Sequence, residues 1–468
     1  MPRPSQAGDV PIAVVTLKIR AMTITRSPEE LTVPRDPATL NRLLFVKLMP
    51  LLIAAYVLSF LDRTNIALAK HQLDVDLGIS AAAYGLGAGL FFLTYALSEV
   101  PSNLIMHRVG ARFWIARIMV TWGLISAAMA FVQGETSFYI LRLLLGIAEA
   151  GLFPGVMLYL TYWFNREQRA RATGYFLLGV CFANIIGGPV GAALMRMDGI
   201  LGWHGWQWMF LLEGLPAVAF AWVVWCKLPD RPSKAPWLSA EEARGIEQRI
   251  AMETEEGAGE GGHSLKNWLT PQILLAIFVY FCHQITIYTV IFFLPSIISK
   301  YGELSTMSVG LLTSLPWIAA AAGAVLLPRF ATTPTRARRL LITGLLTMAL
   351  GLGIASVSGP VFSLLGFCVS AVMFFVVQSI IFLYPASRLK GVALAGGLGF
   401  VNACGLLGGF VGPSVMGAIE MSTGNAMNGL KVIAVVLVVA ALAALRLRQG
   451  QEPDHTSNEV GNPEASTR

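Results

Sequence analysis

Charge is what this sequence has least of. Asp, Glu, Lys and Arg make up 13% of its 468 residues, against 55% apolar side chains, whereas a soluble domain is roughly one-quarter charged. That shortage excludes a water-soluble globule, because so much apolar surface could not all be hidden in one core. Cysteine is scarce as well. Cys181, Cys226, Cys282, Cys368 and Cys404 all fall in apolar runs without metal-ligand spacing, so neither a disulfide framework nor a metal site is expected. Nucleophile elbows, His/Cys/Asp clusters and glycine loops in a strand-turn-helix setting are also missing. A membrane enzyme therefore lacks its chemistry, and no cofactor is expected. A membrane sensor would need a soluble output domain, for which the tails are too short.

What the sequence does have is apolar runs of helix length. They lie at 44–69, 82–106, 113–132, 138–163, 170–195, 206–227, 271–295, 305–327, 339–358, 361–384, 391–416 and 428–447. A helix rising 1.5 Å per residue needs about twenty residues to cross some 30 Å of hydrocarbon. None of the runs has the alternation of a barrel strand. The expectation is an all-α membrane protein in a lipid bilayer, with twelve transmembrane helices in two six-helix halves, 44–227 and 271–447. Residues 1–43 read as a disordered cytoplasmic tail and 448–468 as a cytoplasmic C-terminal tail. Between the halves, 228–270 reads as a cytoplasmic loop in which "WLSAEEARGIEQRIAMETEE" forms a short amphipathic helix and "GAGEGG" a flexible link.

Basic residues set the orientation. With both termini cytoplasmic, the external side, loops and window ends together, holds only Lys70, Arg196, Lys300 and Lys431 of the 34 Lys and Arg. This bias also accounts for the formal charge of +7, so no nucleic-acid surface is implied.

Apart from basic residues near the window ends, six ionisable side chains interrupt the spans: Asp62, Arg63, Glu99, Arg142, Glu149 and Glu213, all in the N-terminal half. Each costs at least about 2.5–3.5 kcal/mol to insert, so such residues normally face a polar cavity or one another. Arg142 and Glu149 are two helical turns apart on one face. An Asp62–Arg142 pair is expected, with Glu149 nearer the midplane and Arg63 turned about 100° away from Asp62, free to meet a substrate. Glu99 and Glu213 sit beside Pro101 and Pro216 and serve equally well as partners for freed backbone. The C-terminal spans are expected to hold no acidic or strongly basic residue. Of the neutral polar residues, Asn184, His283, Trp317 and Asn402 fall near the middle of their spans, with Tyr95 and Gln378 a turn or two away. Each alone is more often a packing residue than a ligand. Tyr95 shares a face with Glu99.

The strings "YVLSFLDRTNIALA", "YALSEVPSNLIMHRVGARFWIARIMVTWG", "RLLLGIAEAGLFPGVMLYLTYWF", "WQWMFLLEGLPA" and "GFVNACGLLGGFVGP" resemble the anion:cation symporter family of the major facilitator superfamily. The resemblance implies the major facilitator fold and import of a small organic anion with protons by alternating access, across a bacterial inner membrane and as a monomer. It implies Asp62 and Glu149 as proton sites, Arg142 in their ion-pair network, and Arg63, Tyr95 and Asn402 as substrate ligands; from the residues themselves, Gln378 is expected to read hydroxyls beside Asn402, with Asn184, His283 and Trp317 as further candidates. Val180 or Cys181 stands where sugar-acid carriers place a glutamine. Asn103 and His107 replace the glycine and aspartate of the usual cytoplasmic loop signature. An aldonate-like sugar acid such as rhamnonate is the favoured substrate, with tartrate or an aromatic acid such as hydroxyphenylacetate or phthalate as the alternative.

Overall fold

The computed structural model describes residues 35–258, 268–357, 359–389 and 391–448. The expected disorder of the two tails bears mostly on 1–34 and 449–468, outside those residues, as does most of the glycine-rich link. Among the described residues, twelve helices are long and apolar enough to cross a membrane. The first six are Pro37–Leu77, Ala81–Val109, Ala111–Phe131, Glu135–Thr161, Glu167–Met195 and Gly205–Lys227. The second six are Pro271–Ile298, Thr306–Phe330, Pro334–Val357, Pro360–Ala386, Gly396–Thr423 and Ala426–Ala444. Between the sets lies the helix Ala240–Ala258, capped where Ser239 Oγ accepts from Glu242 N at 3.2 Å and Ser239 N donates to Glu242 at 2.9 Å.

The first span corrects the sequence reading at both ends. It starts inside the segment expected to be a tail, because Asp36 accepts from Thr39 N at 3.1 Å and Pro37 suits the first helical turn. It ends late, at Gly78, whose φ of +66° stops the helix. Arg35 N donates to Glu242 at 3.2 Å, anchoring the start of the bundle to the linker helix.

Among the described residues four spans are interrupted away from their ends: the first at Asn65, the fourth at Ala150, the tenth after Ala371 and the eleventh at Leu407. In the fourth, a helix ends at Glu149, Ala150 is non-helical, and a new helix starts at Leu152. Gly151 makes the turn at φ +95°, and a Cβ there would collide with Ser102 Oγ. Ser102 Oγ donates to the freed Ala150 carbonyl at 2.7 Å and accepts from Trp114 Nε1 at 2.9 Å. In the tenth span the break follows Ala371, and His283 Nε2 lies 2.8 Å from Phe374 O beside it. Broken backbone survives in lipid only when its freed groups find such partners. The fourth-span break fixes where Glu149 sits.

The two sets of six meet most closely at the end away from the linker helix. Gly85 packs on Pro413 and Gly417, and Gly188 on Gly310, so backbones touch where a side chain would not fit. Tyr84 OH donates to Phe292 O at 3.0 Å, and Ser314 Oγ to Ile185 O at 2.6 Å. Glu420 lies within the eleventh span, against the expectation of no acid in the C-terminal spans. The helix runs past residue 416, where the apolar window stops. It pairs with Lys70 of the first span at 2.5 Å and with Lys300 at 3.0 Å.

Removing one partner of a buried ion pair leaves the other uncompensated. Glu420→Gln should therefore loosen this closure. On a cysteine-free background in detergent, a cysteine at Ser314 is expected to react faster with a maleimide when Glu420 is replaced. Equal rates would show that the triad does not hold the closure.

Candidate functional site

A small cavity of about 60 Å³ lies between the two sets of six. Arg63 and Tyr95 line it on the N-terminal side, and Tyr280, Gln284, Gln378 and Asn402 on the other; Trp317 and Val180 also reach it. Val180 occupies the wall near the position where the sequence departs from the sugar-acid carriers.

Arg63 is the charged residue on the lining. Its Nη2 forms an ion pair with Glu149 Oε1, and Nη1 donates to Tyr288 OH at 3.5 Å. Ser59, one turn before Arg63, donates to the same Glu149 oxygen at 2.5 Å. Glu149 Oε2 is buried with no partner, as is Arg63 Nε. The guanidinium sits over the rings of Phe60, Phe91 and Tyr95, 4.5–5.3 Å from their centroids, so cation–π attraction replaces part of its lost hydration.

Asp62 faces the opposite way. Trp122 Nε1 donates to it at 2.8 Å and Ser126 Oγ at 2.9 Å, both from the third span. Arg142 is fully buried, and its Nε and Nη2 donate to Gly87 O at 3.2 Å and Ala88 O at 3.4 Å. The expected Asp62–Arg142 pair is thus absent, and Arg63 is not free but held by Glu149. The reason is local. The second span reads Gly85, Gly87, Gly89 where it passes the fourth, and Gly87 leaves room for the Phe138 ring, so the helices approach closely enough for Arg142 to reach the Gly87 and Ala88 carbonyls. The 100° step from Asp62 to Arg63 gives Arg63, rather than Asp62, to the cavity.

On the facing wall, Gln378 Nε2 donates to Tyr280 OH at 3.4 Å, Tyr280 OH to Asn402 Oδ1 at 3.3 Å, and Asn402 Nδ2 to Glu99 Oε1 at 3.1 Å. Glu99 thus reaches across to the other half instead of serving the backbone near Pro101. Gln284 Oε1 is buried without a partner. His283 points to the tenth-span backbone rather than into the cavity, and Asn184 Nδ2 donates to Val180 O at 2.8 Å within its own helix. Neither is among the lining residues. Sequence reasoning missed Ser59, Trp122, Tyr280, Gln284 and Tyr288. A signal was there for the last three: 280, 284 and 288 are spaced four apart on one helical face, next to the His283 that drew attention.

Twelve spans in two sets of six, closing on a cavity of aromatic and polar groups with a buried arginine, define a solute transporter rather than an enzyme. The Major Facilitator Superfamily profile matches residues 52–413, and the chain belongs to that superfamily. It is 42% identical over 409 residues to an Agrobacterium vitis protein provisionally named a tartrate transporter, covering 87% of this chain and 94% of the relative. It is 37% identical over 405 residues to the inner membrane transport protein RhmT of Escherichia coli K12, covering 86% and 94%. The xylose transporter XylE from E. coli, in a partially occluded inward-open conformation, shares the fold with a TM-score of 0.67 at 16% identity, over 85% of this chain and 98% of that one.

Proposed function

We propose that this transporter imports a small hydroxylated carboxylate together with protons, by alternating access, across a bacterial inner membrane. The observation that carries the reading is the Arg63–Glu149 pair at the cavity wall. A substrate carboxylate and Glu149 compete for one guanidinium. Protonation of Glu149, whose Oε2 has no partner, cancels its charge and leaves Arg63 to the substrate. Arg63 then offers two parallel charge-assisted hydrogen bonds. Asp62, one residue away on the same helix, is the second proton site, coupled to Arg63 through the helix they share. Arg142 fixes the fourth span against the second and supplies positive potential behind Arg63. Tyr95 bounds the anion pocket beside Arg63, while Gln378 and Asn402 read hydroxyls.

One lining arginine matches one carboxylate, which ranks a monoanionic aldonate-like sugar acid, rhamnonate included, ahead of the dianion tartrate. The tartrate name of the A. vitis relative supports the hydroxylated class. The aromatic residues of the wall keep an aromatic acid as the second reading. One copy of the chain contains the whole cavity, so it acts as a monomer.

The distribution of Lys and Arg puts both termini in the cytoplasm. Reporter fusions are expected to find each terminus there, and a periplasmic signal from either would reverse the orientation. Asp62→Asn and Glu149→Gln mimic the protonated acids but cannot release a proton. Each should abolish pH-driven accumulation in proteoliposomes while counterflow of substrate persists; full accumulation by both would leave the acids structural. Arg63→Lys replaces a planar fork with a point charge. It should weaken aldonate binding roughly tenfold to a hundredfold, the loss of about one charge-assisted hydrogen bond. Competition assays decide the ranking: labelled aldonate uptake blocked by sugar acids supports it, and saturation by phthalate without sugar-acid competition reverses it.

A further inference from the structure

The hydrogen-bond chain on the C-terminal wall has a direction, and a single residue of the other half sets it. A carboxylate only accepts, and with a proton on Oε2, which has no partner, the Oε1 of Glu99 would still accept. Glu99 Oε1 therefore obliges Asn402 to turn its amide nitrogen toward it, 3.1 Å away. That leaves Asn402 Oδ1 toward Tyr280, whose hydroxyl hydrogen is committed to it at 3.3 Å. With its hydrogen spent, Tyr280 OH accepts from Gln378 Nε2 at 3.4 Å. The remaining group of Gln378, Oε1, belongs to a side chain that lines the cavity. The opposite wall presents the donors of Arg63.

We infer that Glu99 is a positioning residue for substrate specificity: by fixing the order of the Asn402–Tyr280–Gln378 chain it makes the far wall of the cavity an acceptor surface, which selects carboxylates whose distal groups donate hydrogen bonds. Glu99 touches no substrate in this arrangement and acts through Asn402. The inference rests on the anion-carrier reading and adds the kind of group read at the end of the substrate remote from the carboxylate. A hydroxyl donates to Gln378 Oε1. A ketone or methyl ether at the same carbon sets acceptor against acceptor, and both stay unpaired. Sites built around a buried hydrogen bond reject analogues that lack it.

The test compares an aldonate with its 5-keto and 5-O-methyl counterparts by calorimetry on the purified protein in detergent. Wild type is expected to prefer the hydroxylated ligand by roughly tenfold or more. Glu99→Gln has nearly the same size, but its amide can donate or accept, so the order of the chain is no longer imposed and the preference should fall to about twofold. The pair Glu99→Gln with Asn402→Asp moves the accept-only group one step along. Gln at 99 then donates to the new carboxylate, Tyr280 must again donate to 402, and the preference should return.

A purely structural role for Glu99 predicts no such rescue. Retention of the preference in Glu99→Gln overturns the inference, and so does a double variant that fails to recover it. Wild type that binds the aldonate without favouring the donor also overturns it, leaving the anion-carrier reading intact. Wild type that binds no carboxylate removes both.

Discussion

A guanidinium cannot sit bare in a low-dielectric interior, and the arrangement around Arg63 follows from that constraint. Its charge is met by Glu149, by Tyr288 and by the faces of three aromatic rings. Glu149 is in turn placed by the break after it, which needs a glycine at 151 and the Ser102 hydroxyl on the Ala150 carbonyl. A straight fourth span would carry the chain on past this point without the turn. The second span contributes twice, since Ser102 supports the break and the Gly87 and Ala88 carbonyls hold Arg142. The N-terminal set of six is therefore a frame that holds one cation at the edge of a cavity.

The C-terminal set answers with neutral groups. Its seventh span presents Tyr280, Gln284 and Tyr288 on one face, and its eleventh span supplies Asn402 to the cavity and Glu420 to the closed end. Glycine contacts between the halves put backbone against backbone. Such contacts involve no interlocked side chains, so they part without rotamer rearrangement. Charge gives the closed end its specificity, through Lys70, Lys300 and Glu420, and the small residues let it close fully.

How much of this was legible in the sequence depends on whether one helix or two were needed to see it. The count of spans follows from lipid acting as solvent along each run separately, and it was readable. So was the division between Asp62 and Arg63, because 100° per residue is a property of one helix. Which partner each would find was not. That depends on the depth and rotation of neighbouring helices, and Arg142 meets the Gly87 and Ala88 carbonyls of the second span rather than Asp62. The first span was misjudged at its start because its inner end is polar, and only the Asp36-Pro37 cap reveals it. Glu420 was lost because hydropathy ends a window before the helix itself ends. His283 stood out as a lone ionisable group, yet its partner is the backbone exposed by a break in the tenth span.

The placement of the charges bears on what the carrier does when empty. Arg63 and Glu149 both belong to the N-terminal set, so their pair satisfies itself without crossing the interface along which the proposed alternating access would move. An unloaded, deprotonated transporter thus carries no bare arginine at its cavity wall and meets no electrostatic penalty on that account in reorienting. A proton without substrate breaks this balance by neutralising Glu149 and leaving Arg63 unpaired in a site of low dielectric, which is costly. A carboxylate without a proton sets two anions around one cation. Only both together, or neither, leave the cavity neutralised. Under the proposed function, charge neutrality at Arg63 is then one source of coupling between substrate and proton, beside the second proton site at Asp62.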